Sequence, residues 1–412
     1  MPSAKNAPSR LDSIPVSEFA ERRSRVLKAL GESASLVFAG EGDPSLHHPF
    51  RPHPHFEYLT GIVDEPGAIL LLDPTNPVPD ARATLFLRPL NPELEKWDGF
   101  RDTIGAKLRE RYGFKTIFRT NRFALTMQAA AKRAKRFACL HPFAFHNAPV
   151  SPDLEIYRKI AERMPGIAIE DRTELLAEMR ARKSPVELAA MRQAIDITAR
   201  GYEAALKTIR PGLTEFDVQE AIEHAYRTNG ARGTAYRTIA GTGFNATVLH
   251  YHANDQPLAD GDLLCIDSGS EYLGYASDIT RTFPVNGKFT PRQKEIYEIV
   301  LKAELAAIAA AKAGATFAQI DKAARDIIVK AGFGDSFIHG IGHHLGLEVH
   351  DITPAGPLPE GAVITIEPGI YLPDERIGIR IEDDILIGKG KSTVLSAMIP
   401  KTVTEIEKAM RG

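Results

Sequence analysis

The sequence predicts two domains of different class. Residues 1–171 read as an α/β domain, and residues 172–412 as an α+β domain built on an internal repeat with a pseudo-twofold axis. Three observations carry this. Short apolar runs alternate with helical patterns as far as Ile169, the signature of a sheet sandwiched by helices. A charged helical stretch, Arg172 to Ser184, then leads into Ser184-Pro185-Val186-Glu187, a helix start with Ser as N-cap and Pro in the first turn. Beyond it, one unit of helix, His-bearing segment and acid-terminated apolar strand is used twice.

In the N-terminal half, residues 1–15 form a Pro- and Ser-rich tail. Ser17 to Leu30 follows as a helix, with Phe19, Val26, Leu27 and Leu30 apolar. Strands are expected at Ser35–Ala39, Ala68–Asp73 and Thr84–Arg88, and helices near Glu93 and at Thr103–Tyr112. Lys-Arg-Ala-Lys-Arg at 132–136 reads as the solvated face of a helix from Ala124, not as a nucleic-acid patch. Leu46 to Gly61 carries four of the thirteen histidines: His47, His48, His53 and His55. A second metal site is one reading; a Pro-stiffened polar loop is the preferred one.

The repeat is exact in register. His250 pairs with His350, Leu258 with Leu358, Gly261 with Gly361, Ile266 with Ile366, Asp267 with Glu367 and Gly269 with Gly369, each 100 apart. The upstream helices, from Pro211 and Ala313, repeat at an offset of 102. Leu263-Leu264-Cys265-Ile266 is an apolar strand halted by Asp-Ser-Gly, so Asp267 ends a core strand, where an unpaired charge is costly. A hairpin through Gly269 and Gly274 brings Asp278 back on the neighbouring strand, and the second copy supplies Glu382 in the same way. Any one strand-end acid is ordinarily a turn cap. Four that converge repel one another unless a cation lies among them.

His343, in His-Gly-Ile-Gly-His-His-Leu-Gly (339–346), is the fifth candidate, since imidazole is the ligand a metal site most often adds. Asp267, Asp278, His343, Glu367 and Glu382 have donors for two divalent ions. The oxygen-rich set favours Mn2+, with Co2+ or Zn2+ as alternatives, and has no thiolate. Two ions about 3.5–4 Å apart clamp a polarised carbonyl and make hydroxide available near neutral pH, so metal-assisted hydrolysis is expected. The Gly-rich stretches 241–246 and 340–346 lack dinucleotide-loop spacing and read as tight turns.

The motifs HYHAND, IDSG, SDITRTF, HGIGHHLGLEVHD, TIEPG and RIEDD resemble, in order and spacing, those of the pita-bread metallopeptidases. The nearest likeness is to aminopeptidase P and the prolidases, which act on Xaa-Pro bonds, and it extends over nearly the whole chain. The resemblance implies Asp267 and Asp278 as bidentate ligands, Glu382 as a bridge, and His343 and Glu367 completing a two-manganese site. It makes Glu367 the general base, and His250 and His350 the contacts to substrate and transition state. Proline at the substrate's second position is implied by the resemblance alone, as are a homodimer or homotetramer and a neighbour-reaching role for Trp97, for which ordinary packing is the alternative. His47-His48 stand where relatives often carry an Asp before the aromatic-Arg pair, here Phe50-Arg51, which puts that acid's proton-handling role in doubt.

On the strand Arg376 to Glu382, alternation puts Arg376, Arg380 and Glu382 on one face. Arg380 is then expected to orient the metal carboxylates. For Arg376 two readings stand: binding a short substrate's free carboxylate, together with Arg51, or a surface ion pair with Asp374 or Glu375. The roles of His339 and His344 stay open between packing and support of His343.

A net charge of −2 offers no footprint for nucleic acid. The N-terminus lacks an apolar signal segment, no run is long enough to span a bilayer, and the two cysteines, Cys139 and Cys265, suggest no disulfide framework; a cytoplasmic protein with no membrane or nucleic-acid partner is expected. Intact ligand positions argue against a metal-free peptide-binding or creatinase-like member, and the N-terminal domain against a methionine aminopeptidase. Aminopeptidase P, cutting longer peptides, is the leading reading, with a prolidase restricted to dipeptides as the alternative.

Overall fold

Local sequence signals set most element boundaries in the computed structural model, which describes residues 10–42 and 50–411. The described chain divides into two compact units, one ending at Met179 and the other starting at Arg180. His47 and His48 lie outside the described residues.

In the N-terminal unit, Ser35–Phe38, Ile69–Leu72, Ala83–Leu87 and Thr116–Arg119 form a four-stranded sheet in that order, antiparallel except for its last, parallel pair. A parallel pair, Arg136–Cys139 with Ala168–Asp171, is bridged to the first strand through Ala34 and Phe137. Helices Phe123–Ala134 and Pro152–Ala161 contribute to its core, where Tyr157 stacks on Phe137 and its hydroxyl accepts the Leu36 N–H at 2.6 Å. The basic run 132–136 is only partly a helical face: Lys135 caps the helix in the left-handed region and Arg136 opens a strand. His53 caps helix Pro54–Thr60, and His55 is buried behind it, so the described half of the His-rich segment is built into the unit's structure. Trp97 is 85% exposed on helix Pro92–Asp98.

The C-terminal unit opens with the expected capping box. Ser184 and Glu187 exchange side-chain and backbone hydrogen bonds at the start of helix Pro185–Thr208. Thr214 and Thr316 cap helices Glu215–Thr228 and Phe317–Lys330 in the same manner. Against the helices lie antiparallel strands. Leu263–Ser268 is central between Ile239–Thr242 and Ile279–Pro284, and Val363–Ile366 pairs with Asp383–Leu386. A bridge between Thr280 and Glu382 joins the two groups. The apolar runs of these strands are buried, so each delivers its polar end to one place.

Candidate metal centre

Strand register places the first two acids. Asp267 lies opposite Thr280, and Asp278 precedes Ile279, which lies opposite Ser268. The two aspartates are therefore diagonal neighbours on one face rather than a direct cross-strand pair. Both carboxylates reach the hydroxyl of Tyr236, 2.5 Å from each. Glu382 follows strand Ile377–Arg380 and accepts a hydrogen bond from Thr280 Oγ1 at 2.6 Å. Glu367 follows Val363–Ile366. Its backbone N–H is tied to Ile341 O, which fastens the histidine-bearing turn to the strand.

That turn needs its glycines. Gly342 has φ +154°, and a Cβ there would lie 2.1 Å from the carbonyl oxygen of Thr365. The close approach lets His343 N–H reach Thr365 Oγ1 at 3.1 Å. His343 Nδ1 lies 3.0 Å from the carbonyl oxygen of His344, a contact in which Nδ1 is the donor, so Nε2 is the nitrogen free to give its proton to the acids or, in the proton's place, its lone pair to a cation. Nε2 points at the acids, 3.5 Å from Asp278 Oδ2 and 3.6 Å from Glu367 Oε1. One atom each from Asp278, His343 and Glu382 falls within a 4.8 Å cluster.

A 610 Å³ cavity collects all five expected ligands, with Tyr236, His250, His252, His339, His350 and Arg380 also on its wall. Without a cation the acids disfavour one another. Burial first, then Asp278, Glu367 and Asp267, holds the Glu382 carboxyl well above its usual range. Burial likewise raises Glu367 to about 7, assisted by Asp278 and Asp267 and opposed by His343 and Arg380. Burial works against a charged His343, yet its hydrogen bond to Asp278 and the neighbouring acids raise it to about 9. The clustered acids thus favour a positive charge among them.

Arg380 meets expectation in its position. It is 4% exposed and reaches Asp267 Oδ2 at 2.8 Å. Arg376 does not. The turn Pro373–Glu375 leaves Arg376 in the left-handed region at φ 57°, outside the strand, so strand alternation does not apply to it. Its side chain is 61% exposed and pairs with Asp262 at 3.1 Å, not with Asp374 or Glu375; Glu375 pairs with Arg292. Arg51 is exposed in the N-terminal unit. His350 packs against His343 with the rings tilted by 33° and their centroids 4.0 Å apart. His339 Nε2 lies 2.8 Å from the Tyr371 hydroxyl, and His344 is buried, packed edge-on against Phe317.

Sequence reasoning missed Tyr236 and His252 as parts of this wall, and Thr280 as the buried support of Glu382. Tyr236 lies 31 and 42 residues from the acids it contacts, with no local pattern to mark it.

Comparison with known proteins follows the same division of the chain. Residues 19–139 match the aminopeptidase P N-terminal domain, and residues 189–389 match metallopeptidase family M24. The chain is 36% identical to an Xaa-Pro aminopeptidase of Haemophilus influenzae, over 96% of this chain and 98% of that one. This chain belongs to the aminopeptidase P family of M24 metallopeptidases.

The aminopeptidase P likeness extends to solved structures. Escherichia coli aminopeptidase P with the inhibitor Pro-Leu has a TM-score of 0.85 at 33% identity, covering 97% of this chain and 99% of that one. An aminopeptidase P described as putative, from Bacillus anthracis, gives 0.89 at 32% identity with the same coverage. The M24 family implies divalent metal ions and a metal-dependent peptidase. The donor set fits them: hard carboxylate oxygens, one imidazole with its lone pair turned inward, and mutual repulsion that a cation relieves.

Proposed function

We propose that this chain removes the N-terminal residue from peptides whose second residue is proline. The observation that carries the reading is the cavity uniting Asp267, Asp278, His343, Glu367 and Glu382 within a chain related over its whole length to Xaa-Pro aminopeptidases. These five residues would hold two divalent ions, with Mn2+ favoured by the oxygen-rich set. Bound ions would supply Lewis acidity and a water that loses its proton near neutral pH.

The chain's own groups do the rest. A Glu367 carboxylate oxygen, on the cavity wall among the other acids, takes the proton of the attacking water. The same carboxyl then stands ready to hand a proton to the departing proline nitrogen. Burial, then His343 and His250, keeps the His350 imidazole below its usual range, so it is neutral and presents an N–H to the scissile carbonyl oxygen as charge develops there. His250, across the same cavity, is assigned to the substrate as well. Arg380 and Tyr236 keep Asp267 and Asp278 in place.

Arg376, tied to Asp262 on an exposed turn, does not line the cavity and is no longer a candidate for gripping a dipeptide's carboxylate there. That favours longer peptides over dipeptides. Arg51 keeps only the support of the family resemblance, as does a homodimeric or homotetrameric assembly; a cytoplasmic location rests on the sequence expectation alone. Among the described residues no helix is long and apolar enough to cross a membrane. The test is hydrolysis of Ala-Pro-Ala, Ala-Pro and Ala-Ala-Ala by the Mn2+-loaded enzyme. Cleavage of Ala-Pro-Ala in preference to the other two is expected. Cleavage of Ala-Pro alone would make the enzyme a prolidase, and equal cleavage of Ala-Ala-Ala would remove proline from the reading.

A further inference from the structure

His250 is an exposed residue on a loop, and its ring has no hydrogen-bond partner among the described residues. Its ring lies parallel to that of His252, centroids 6.4 Å apart. Whatever holds it over the cavity must act through the main chain.

The structure points to one carboxylate. Glu215 is the first residue of helix Glu215–Thr228 and is 0% exposed, with no ion pair among the described residues. A buried carboxylate without a cation is tolerable only when donors fill its lone pairs. Four do so. Oε1 accepts from Thr242 N–H at 2.7 Å and from Asn245 Nδ2 at 3.2 Å. Oε2 accepts from the Tyr251 hydroxyl at 2.8 Å and Gln256 N–H at 3.0 Å. These donors bracket His250 on both sides, and Tyr251 is its immediate neighbour. Glu215 N–H also donates to Gln256 O at 2.9 Å, so the loop's return is fastened twice. Asn254 adds a second anchor. At φ 48° its side chain accepts Ala240 N–H and donates to Thr238 O and Gln219 Oε1, each within 3.0 Å.

We infer that Glu215 is a positioning residue for His250. One carboxylate gathers the two ends of the 242–256 segment and the residue beside His250, fixing where the imidazole meets the substrate. The inference deepens the function proposed above and rests on it. It accounts for Tyr251 in the HYHAND motif, which the chemistry itself does not use.

Glu215→Gln preserves shape but replaces one acceptor oxygen with a donor, so two of the four donors lose their partner. Kinetics on Ala-Pro-Ala with Mn2+-loaded enzyme, for this variant alone and combined with His250→Ala, test the inference. Amide hydrogen exchange over 242–256 is measured in parallel. Glu215→Gln should speed exchange in that segment and lower kcat/KM by about 10- to 100-fold, chiefly in kcat. In the His250→Ala background its effect should shrink to about twofold or less, because the two act as a unit. An equal loss in both backgrounds, or unchanged exchange over 242–256, overturns the inference. Should Glu215→Gln fail to fold, Tyr251→Phe removes one of the four bonds and carries the same cycle with a smaller loss. A wild-type enzyme inert on Ala-Pro-Ala would sink the proposed function, and the exchange result alone would then decide for or against the clasp.

Discussion

Arg380 Nη2 lies 2.8 Å from Asp267 Oδ2, and the same guanidinium spends its other nitrogens on the Tyr371 hydroxyl at 3.0 Å and Thr280 Oγ1 at 3.2 Å. One planar cation thus aligns an acid of the centre with the threonine that holds another, Glu382. A lysine cannot reproduce that three-way fork. Arg380→Lys is expected to lower metal affinity or kcat/KM by about 10- to 100-fold. Calorimetric titration with Mn2+ and steady-state kinetics check both quantities.

Glu367 is assigned two duties, ligand and base, which a Gln separates in part. Glu367→Gln should lower kcat by about 10²- to 10⁴-fold. Because the other four ligands remain, one ion should still bind. Kinetics beside metal analysis of the variant give the answer; near-normal kcat would remove Glu367 from the proton-transfer role.

Metal should also stabilise the fold, since the acids at the centre repel one another without it. Ions that bind only the folded chain add RT ln(1 + [L]/Kd), or about 2.7 kcal/mol at a hundredfold excess over Kd. The melting temperature of metal-stripped protein should therefore rise on adding Mn2+ and fall again with chelator, followed by far-ultraviolet circular dichroism.

Behind Glu382 sits a buried ion pair. Arg281 Nη2 meets Asp383 Oδ1 at 2.7 Å, both side chains 0% exposed, and Arg281 Nη1 donates to the Glu382 carbonyl at 2.6 Å. Breaking such a pair leaves a buried charge short of its partner, although Lys401 still faces Asp383. Arg281→Met should cost about 3 kcal/mol, read from urea unfolding of the metal-free protein.

Asp351, next to His350, gives the clearest pH signature. Burial opposes its charge, but Arg180 and Lys183 beside it overcome this and hold its carboxyl below the usual carboxylate range. A depressed folded-state pKa adds stability that is present above the unfolded value of about 3.9 and lost as pH falls through the folded one. Wild-type stability should therefore drop more steeply below about pH 4 than that of Asp351→Asn. Urea midpoints across the acid range decide it, and parallel curves would contradict the assignment.

What could be read from the sequence was what short-range pattern encodes. Apolar runs halted by an acid mark Asp267 and Glu367 as strand ends, and the capping signal at Ser184 marks the helix that opens the C-terminal unit. Those five candidate ligands do share one cavity. The supporting contacts were not legible, because they join distant segments through single side chains. Tyr236 and Glu215 look locally like a loop residue and a helix-start acid. Arg376 was misplaced for a different reason: counting alternate residues assumes an unbroken strand, and a three-residue turn moved the strand's first residue to Ile377.

The most direct test of the central claim is a titration of metal-stripped enzyme with Mn2+, following bound ions and Ala-Pro-Ala hydrolysis together. Two ions per chain, with activity returning as they bind and lost in Asp278→Asn, is the predicted result. Full hydrolysis by the stripped enzyme, or metal binding that leaves the tripeptide intact, would contradict it.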